Sequence, residues 1–480
     1  MNGNSVHVLR RILHRRGFCP ALCRTKVSDV ASEKPKVSRV RKPKVTTPNS
    51  TDSAVPKDVA EYFQSKDPSI LQLFPPTILR KTSQNAERFY ISDRSTAQRI
   101  ADIVTHDLPK DRLLVEVNPG PGMLTEQLLQ RKLKNLRLYE TDVSFESRLK
   151  SQFNLPPDVL RIADFNGLWR LSYLDGFDSG RRVVNLLQGI PNKKWDDDDL
   201  SFRLFSVIGS VKFLRYLMNS ITNQNELYSL GRYEMILVMS PLLFSHIAST
   251  KNAGYKLYRG STIVFQLYFE HEFLGTVPRK HFLPWNHNTN SSKKLRTLHQ
   301  KLIEDGAEEW YLVKIMPRRN LYEHLLPDNL ALFASFMTQH YVSRRSRVIP
   351  TLEHWIPHCG ARLILNGNYT QKKVPVDPLP GQLLKSQPLS SNDYVDKMTI
   401  YTEFGELTPS QVLTLFNEFI NWSDFHQSPF LQAVDSPKPK PNSARSVPTD
   451  EEDVLDDPIE PTSAEQRVSD GRVKKVKSLQ

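Results

Sequence analysis

The first residues that could do chemistry form a turn with two glycines, in the stretch from Val115 to Thr125. An apolar run ends just before Asn118, Gly120 and Gly122 follow, and a helical stripe begins directly after them. Glycine lets a ligand approach the backbone closely, and the start of a helix offers unpaired N–H donors. This pattern predicts a nucleoside cofactor. A nicotinamide dinucleotide is disfavoured, because its pyrophosphate-binding fingerprint has a third glycine where this chain has Thr125.

Two carboxylates stand at the ends of the next two apolar runs. Glu140 closes the first run and can accept hydrogen bonds from both hydroxyls of a ribose. Asp164 closes the second run and can accept a hydrogen bond from the exocyclic amine of adenine. Either acid alone is more typical of a solvated residue at the end of a strand. A glycine turn, a ribose acid and an adenine acid in this chain order predict S-adenosylmethionine as the cofactor.

These residues need a sheet to bring them together, and from Ile100 onward the chain alternates short apolar runs with amphipathic stretches. Strands that alternate with helices predict an α/β fold with a mostly parallel sheet covered on both faces. Ligands of such sheets bind beyond the carboxyl ends of the strands, where the turn and both acids are placed. The predicted strands are 113–117, 136–139, 159–162, 183–187, 233–239, 263–269 and 311–315, with helices at 123–133 and 201–218.

After about Arg318 the strand patterns give way to helical stripes at 329–341 and 410–422, which predict a smaller helical domain docked on the sheet. Basic residues in this part of the chain are candidates for a strip that binds the phosphates of a nucleic acid. The alternative is a set of ordinary solvated surface charges. The strip would consist of Lys293, Lys294, Arg296, Arg318, Arg319, Arg344, Arg345 and Arg347.

Several segments occur together in one known family. They read RFYISD at 88–93, LVEVNPGPGMLT at 114–125, YETD at 139–142, DF at 164–165, IMPRRNL at 315–321 and RRS at 344–346. In these segments the chain resembles the rRNA adenine N6-dimethyltransferases, and within them the mitochondrial transcription factor B group, nearest its second, transcription-initiating paralogue. The resemblance spans roughly residues 85–360 and implies a Rossmann-like, S-adenosylmethionine-dependent methyltransferase sheet. It also implies a cofactor pocket lined by Ile91, Asn118, Gly120, Glu140 and Asp164.

The chain departs from this family at the catalytic loop after the fourth strand. An active dimethylase has Asn-Leu-Pro-Tyr there, whose asparagine holds the target amine and whose ring stacks on the flipped base. Residues 184–192 read VNLLQGIPN, so the loop either begins at Asn185, the candidate catalytic residue, or slides to 188–191. Neither register has an aromatic ring, and losing a stacking ring forfeits about 1–3 kcal/mol. The acidic run at 196–199 would also repel an RNA backbone if it lay at the mouth of the site.

The two ends of the chain differ in composition from its middle. Residues 1–28 interleave arginines with apolar residues and contain no acid, which is typical of a mitochondrial transit peptide, with a basic nucleic-acid-binding tail as the alternative. We therefore expect a location in the mitochondrial matrix, at the nucleoid. Residues 29–58 are predicted to be a linker, 59–317 the methyltransferase-like domain, 318–432 the helical C-terminal domain and 433–480 a disordered tail.

Composition excludes several classes of protein. No apolar run comes near the 18 residues that a spanning helix needs, so no membrane partner is expected. Three cysteines in 480 residues exclude a disulfide framework. His354, His358 and Cys359 have metal-like spacing, but Pro357 interrupts the helix that would align them, so no metal site is predicted. Trp285 is predicted to be a packing residue.

Two functions of different classes are consistent with these residues. The first is a mitochondrial transcription initiation factor that assists mitochondrial RNA polymerase in melting promoter DNA, with a basic groove and stacking surfaces that hold the separated strands. The alternative is an enzyme that uses S-adenosylmethionine to dimethylate N6 of adenines in the small mitochondrial rRNA. The altered catalytic loop favours the first function, and the intact cofactor signature favours the second.

Overall fold

The structure, a computed structural model, describes residues 55–80, 87–254, 257–285, 306, 308–365 and 381–435. The predicted transit peptide and most of the predicted linker and tail lie outside the described residues. So do three members of the predicted basic strip, Lys293, Lys294 and Arg296. The predicted domain boundaries stay predictions.

The strands of the described residues are numbered in chain order. They are β1 (Tyr90–Ile91), β2 (Leu113–Val117), β3 (Leu136–Glu140), β4 (Leu160–Ile162), β5 (Phe202–Val207), β6 (Glu234–Met239), β7 (Phe269–Pro278), β8 (Phe282–Leu283) and β9 (Glu309–Pro317). Seven of them form one sheet in the order β4-β3-β2-β5-β6-β9-β7, and β1 pairs with β8 in a second sheet. Neighbours from β4 to β6 are parallel, and β9 and β7 complete the sheet antiparallel. The predicted α/β fold with a mostly parallel sheet is confirmed.

Helices connect these strands, and several more follow the sheet. They are α1 (Lys57–Lys66), α2 (Ser69–Leu73), α3 (Pro76–Leu79), α4 (Arg94–Thr105), α5 (Met123–Gln130), α6 (Glu146–Phe153), α7 (Leu168–Asp178), α8 (Arg182–Leu187), α9 (Val211–Thr222), α10 (Pro241–Ala248), α11 (Gly260–Tyr268), α12 (Leu321–His324), α13 (Leu330–His340), α14 (Val348–Trp355), α15 (Cys359–Leu365), α16 (Pro409–Asn421) and α17 (Pro429–Asp435).

The sheet is buried on both faces. Successive side chains of a strand point to opposite faces, and Leu114 and Val115 of β2 accordingly belong to two different hydrophobic clusters. Ile236 and Leu237 of β6 divide in the same way. This explains why the central strands read as continuous apolar runs rather than as alternating patterns.

Parallel pairing brings the candidate site residues to one edge of the sheet. Val117 pairs with Tyr139, and Glu140 pairs with Ile162, so β2, β3 and β4 end beside one another. The glycine turn, Glu140, Asp164 and the loop after β5 therefore share the carboxyl edge of the sheet. This is where open α/β sheets bind their ligands.

Three predicted elements are wrong. Residues 183–187 form helix α8 instead of a strand, because the carboxylate of Asp175 accepts hydrogen bonds from the N–H groups of Arg182 and Val183 at the helix start. The predicted helix 201–218 begins with strand β5 and becomes helical only at α9. The predicted strand 263–269 is helix α11, and only Phe269 belongs to a strand.

Beyond β9 the described residues form helices joined by loops, with isolated bridges but no further strand. The predicted stripes correspond to α13 and α16, which pack through rings such as Phe333 and Phe416. Trp285 packs against Tyr62 and Phe63 of α1, which confirms it as a packing residue. Among the described residues, no helix is both long and apolar enough to span a membrane.

Candidate cofactor and catalytic site

The turn between β2 and α5 has the backbone conformation that its glycines predict. Gly120 has a φ of 60° and Gly122 a φ of 88°, in the left-handed region that strains other residues. Space is restricted as well, because a Cβ on Gly120 would lie 2.7 Å from Cδ1 of Tyr90. A Cβ on Gly122 would overlap the ring of Phe153. The turn therefore requires glycine at both positions.

Glu140 holds this turn from the end of β3. Its carboxylate accepts hydrogen bonds from the backbone N–H of Gly120 at 2.8 Å and from those of Thr141 and Asp142, both at 2.7 Å. The residue is fully buried. Burial raises the pKa of Glu140 to about 7, although the three N–H donors act against this rise. The ribose acid and the glycine turn thus form one hydrogen-bonded unit.

Two further polar side chains are enclosed beside the turn. Oδ1 of Asn118 accepts a hydrogen bond from Thr141 Oγ1 at 2.8 Å, whereas its Nδ2 is buried with no partner among the described residues. Glu116 accepts a hydrogen bond from Thr125 Oγ1 at 2.8 Å, and burial raises its pKa to about 8. A buried donor without an acceptor costs free energy. Asn118 Nδ2 is therefore a group that a ligand's acceptor atom would satisfy.

Asp164 reaches the same edge two residues beyond β4. The N–H of Ala163 donates to the carbonyl of Glu140 at 2.9 Å, which fixes this end of β4 beside β3. One carboxylate oxygen of Asp164 accepts a hydrogen bond from the N–H of Gly167 at 2.9 Å. The other oxygen lies 3.3 Å from Nη2 of Arg88. The predicted adenine acid is thus already engaged by two groups of the protein.

A small crevice opens beside Asp164. The guanidinium of Arg170 and the ammonium of Lys212 lie 5.2 Å and 4.8 Å from the ring centroid of Trp169, at one side of this crevice. The site therefore combines a carboxylate, cations and an indole ring at the carboxyl edge of the sheet. The lining includes Arg88, Asp164, Asn166, Trp169, Ile208 and Ser210.

Ile91 is the one predicted pocket residue that these hydrogen bonds do not include. It lies buried in β1 and pairs with Phe282 of β8. Its neighbour Tyr90 contacts Gly120, and the charge of Glu140 adds to the burial that raises the pKa of Tyr90. The ring of Tyr90 therefore packs against the turn, and a pocket role of Ile91 stays a prediction.

The loop position that would carry catalysis lies after β5, and Asn185 is not in it. Asn185 is exposed on helix α8. Its prediction as the catalytic residue assumed a strand at 183–187, which is a helix, so that prediction is corrected. The chain leaves the end of β5 through Ile208, Gly209 and Ser210. Ser210 accepts a hydrogen bond from the N–H of Lys212 at 3.2 Å and so caps α9. This loop supplies neither a side-chain amide nor an aromatic ring.

Two members of the predicted phosphate-binding strip lie at the opposite edge of the sheet, because β9 runs antiparallel to β6 and ends beside its start. Arg318 is buried and donates to the carbonyls of Gln266 at 2.9 Å and Gln387 at 2.8 Å. Arg319 forms an ion pair with Asp198 at 2.5 Å. The prediction for Arg318 is corrected, since its guanidinium serves the fold. The acidic run lies at this amino edge as well and does not face the crevice.

The remaining arginines of the strip divide into an internal one and two exposed ones. Arg344 donates to the carbonyl of Tyr258, so this guanidinium also serves the fold. Arg345 and Arg347 are exposed. The guanidinium of Arg347 lies 5.0 Å from the ring centroid of Tyr401, which is 65% exposed. Nucleic-acid contact by Arg345 and Arg347 stays a prediction.

Sequence reasoning missed four features of the site. Arg88 and Tyr90 lie in the segment 88–93, but the family resemblance predicts only Ile91 of that segment as a pocket residue. Trp169 gave no signal, because one aromatic residue on a helix is usually core. Ser210 did give a signal, since serine before a helical stripe is a favoured N-cap and would have placed the helix start at 211.

Comparison with known proteins shows the family. The model described as ribosomal RNA adenine dimethylase matches residues 81–351, more than half of the chain. The chain belongs to this family. The Drosophila melanogaster protein named dimethyladenosine transferase 2, mitochondrial, is 35% identical over 395 residues, which cover 79% of this chain and 86% of that protein. The Homo sapiens protein of the same name is 24% identical over 322 residues, covering 62% and 76%.

Among solved structures, the 23S rRNA methyltransferase ErmE is similar over 68% of this chain and 98% of the ErmE chain, at 15% identity and a TM-score of 0.39. The family uses S-adenosylmethionine, which confirms the predicted cofactor. The relatives' names confirm the predicted mitochondrial location.

The residues present fit such a cofactor. A carboxylate offers about four acceptor positions, and three of those on Glu140 are used by backbone N–H groups. Asn118 contributes a buried donor without a partner among the described residues, and Asp164 a carboxylate at the crevice. Within the described part of the chain, no group of three or more His, Cys, Asp or Glu side chains could hold a metal ion.

Proposed function

We propose that this dimethylase-family protein is a mitochondrial transcription initiation factor of the transcription factor B group, corresponding to its second paralogue. It assists mitochondrial RNA polymerase in melting promoter DNA at the nucleoid. One observation supports this function above the others: the loop after β5 consists of Ile208, Gly209 and Ser210. Such a loop has no amide to hold a target amine and no ring to stack on a flipped base, and adenine dimethylation depends on both.

Melting a promoter requires a surface that binds separated strands more tightly than the duplex, because only a difference in affinity shifts the equilibrium. The exposed ring of Tyr401 and the guanidinium of Arg347 above it form such a surface, with Arg345 two residues away. Stacking a base on an aromatic ring contributes about 1–3 kcal/mol, and each phosphate contact releases counterions. Bases inside a duplex cannot make the stacking contact.

A promoter assay tests this function. Added to mitochondrial RNA polymerase, the protein should stimulate run-off transcription from a duplex promoter and give much less benefit on a pre-melted template. Tyr401→Ala and Arg347→Ala should each reduce the duplex effect. Arg94→Ala is the matched control, since Arg94 is exposed on α4 and paired with Asp67. Equal stimulation of both templates would contradict a role in melting.

The second candidate is S-adenosylmethionine-dependent N6,N6-dimethylation of adenines in the small mitochondrial rRNA. The enclosed turn supports it, because Asn118 Nδ2 has no partner among the described residues and Glu140 keeps an acceptor position for a ribose hydroxyl. The cofactor, when bound, supplies the methyl group. The chain's own contribution is to hold the adenosine, with Asp164 accepting from the adenine amine.

Methyl transfer decides this second candidate. Purified protein should move labelled methyl groups onto the small-subunit rRNA hairpin, and Asp164→Ala should abolish the transfer. Asp197→Ala is a control, because Asp197 belongs to the acidic run and accepts a hydrogen bond from the N–H of Lys194 at 2.9 Å. Transfer no higher than background would remove catalysis from the account and leave the transcription function in place.

A further inference from the structure

An ion pair occupies the carboxylate that the adenine ring would use. Nη2 of Arg88 lies 3.3 Å from Oδ2 of Asp164, and the N–H of Gly167 donates to Oδ1 at 2.9 Å. The two charged side chains are 33% and 21% exposed, so the pair is only partly screened by water. Both oxygens of Asp164 are thus engaged by the protein itself.

The backbone around Arg88 keeps its guanidinium near Asp164. Arg88 forms an antiparallel bridge to Ile208, the first residue of the loop after β5. The next residue, Phe89, packs edge-on against Trp310 with ring centroids 4.7 Å apart. Tyr90 then enters the pairing of β1 with β8. Because the chain is held at each of these points, release of Asp164 requires a rotation of the Arg88 side chain.

We propose that Arg88 determines which purine this site prefers, by competing with the 6-amino group of adenine for Asp164. This inference rests on the proposed use of an adenosine-containing cofactor. A guanidinium and an exocyclic amine are both donors, and Arg88 and Asp164 both line the crevice, so an amine that approaches Oδ2 from the crevice meets the guanidinium already placed there. A purine with a 6-oxo group instead offers an acceptor at that position, and Arg88 can donate to it while Asp164 stays paired.

The opposite roles of the two purines allow a sharp test by calorimetric titration. The probes are S-adenosylhomocysteine, which has the 6-amino group, and S-inosylhomocysteine, which has the 6-oxo group. Arg88→Ala should raise the affinity for the adenosine compound by about fivefold to tenfold, the effect of one hydrogen bond of ordinary strength, because the ion pair is partly exposed. The affinity for the inosine compound should not rise. The wild-type protein should therefore prefer the adenosine compound over the inosine compound less strongly than Arg88→Ala does.

Two control variants accompany this test. Arg131→Ala removes an arginine that is also partly buried and paired with an aspartate, Asp102, but that does not line the crevice, and it should change neither affinity. Arg88→Met keeps the aliphatic stem without the donors and should reproduce the effect of Arg88→Ala if the alanine variant unfolds. Thermal unfolding of each variant verifies that it is folded.

Several outcomes would overturn the inference. Parallel changes for both compounds would show that Arg88 acts on the site in general, and weaker binding of S-adenosylhomocysteine would show that Arg88 positions Asp164 for adenine. Binding of S-adenosylhomocysteine to neither protein would show that Arg88 is not what limits it. The titration contains no polymerase, promoter or rRNA. The proposed functions are tested by run-off transcription and methyl transfer, whereas this inference is tested by binding alone, so their failures can be told apart.

Discussion

Two stretches at the carboxyl edge of the same sheet are built in different ways. The turn between β2 and α5 has glycines in left-handed conformations and a buried carboxylate that accepts three backbone hydrogen bonds. The loop between β5 and α9 has an ordinary helix cap at Ser210. In the turn, Glu140 serves the fold before any ligand arrives. The residues of the cofactor turn can therefore be kept for the fold alone, so their presence says little about catalysis. The residues of the loop after β5 say more, because they have no such role in the fold beyond starting α9.

If the turn is built for the fold, substituting Glu140 should cause the largest loss of stability. Glu140→Ala would leave three N–H groups without their acceptor, one of them buried and two half-buried, each worth about 1–3 kcal/mol. We expect the free energy of unfolding to fall by about 4 kcal/mol, measured by urea denaturation. Asp142→Ala is the control, because that neighbouring carboxylate caps only one exposed turn. A loss below about 1 kcal/mol would mean that Glu140 is held for a ligand and not for the fold.

The second prediction concerns Glu116, which shares the interior of the turn. Its pKa is raised to about 8 by burial, from an ordinary value of 4.5, so the folded state binds its proton more tightly than the unfolded chain. This stabilising contribution is fully present below pH 4.5 and is lost as the pH rises through about 8. Glu116→Gln stays neutral, so relative to wild type it should gain about 4 kcal/mol between pH 5 and pH 9.

Denaturation at pH 5 and pH 9 measures this difference. Thr125→Val sharpens the test, because the hydroxyl of Thr125 donates to Glu116 and lowers the pKa of that carboxyl. Removal of this hydroxyl should raise the pKa of Glu116 further, so the loss of stability should continue to a higher pH. A difference between wild type and Glu116→Gln that does not change with pH would contradict the enclosed state of this carboxyl.

A smaller loss of stability is expected when one glycine of the turn or of the loop is replaced by alanine. Gly120→Ala would place a Cβ 2.7 Å from Cδ1 of Tyr90 on a backbone with a φ of 60°, so we expect a loss of about 2 kcal/mol. Gly209 is not among the described glycines with positive φ, and Gly209→Ala should cost less than about 0.5 kcal/mol. Thermal unfolding of the two variants compares them directly. Equal losses would mean that the loop is as constrained as the turn.

The sequence predicted the turn well because its determinants are local. Glycines, an apolar run and strand-end acids all lie within the stretch that they shape, and β2, β3 and β4 fall where they were predicted. The loop was misplaced because its determinants are distant. Asp175 caps α8 from seven residues away along the chain, so Val183 and its apolar neighbours form a helix where their type favours a strand.

Strand β5 lies where the sequence predicts the start of a helix. The strand contains Arg203, and arginine is rare in a buried central strand. In the structure the guanidinium of Arg203 pairs with Glu234 of β6 at 2.9 Å and donates to the carbonyl of Val104 at 2.8 Å. Partners 31 and 99 residues away cannot be found from a local pattern. The error at β5 then moved the catalytic loop to Asn185.

The smallest predicted effect tests whether the loop after β5 does anything beyond starting α9. Ser210→Ala removes the cap that accepts from the N–H of Lys212 and should cost about 1 kcal/mol, whereas Ser210→Asp keeps an acceptor there and should cost less. Urea denaturation measures both. Because Ser210 also lines the crevice, binding of S-adenosylhomocysteine is titrated in parallel and should stay unchanged. If Ser210→Ala abolished that binding without a matching loss of stability, the loop would belong to the cofactor site, and the contrast with the turn would fail.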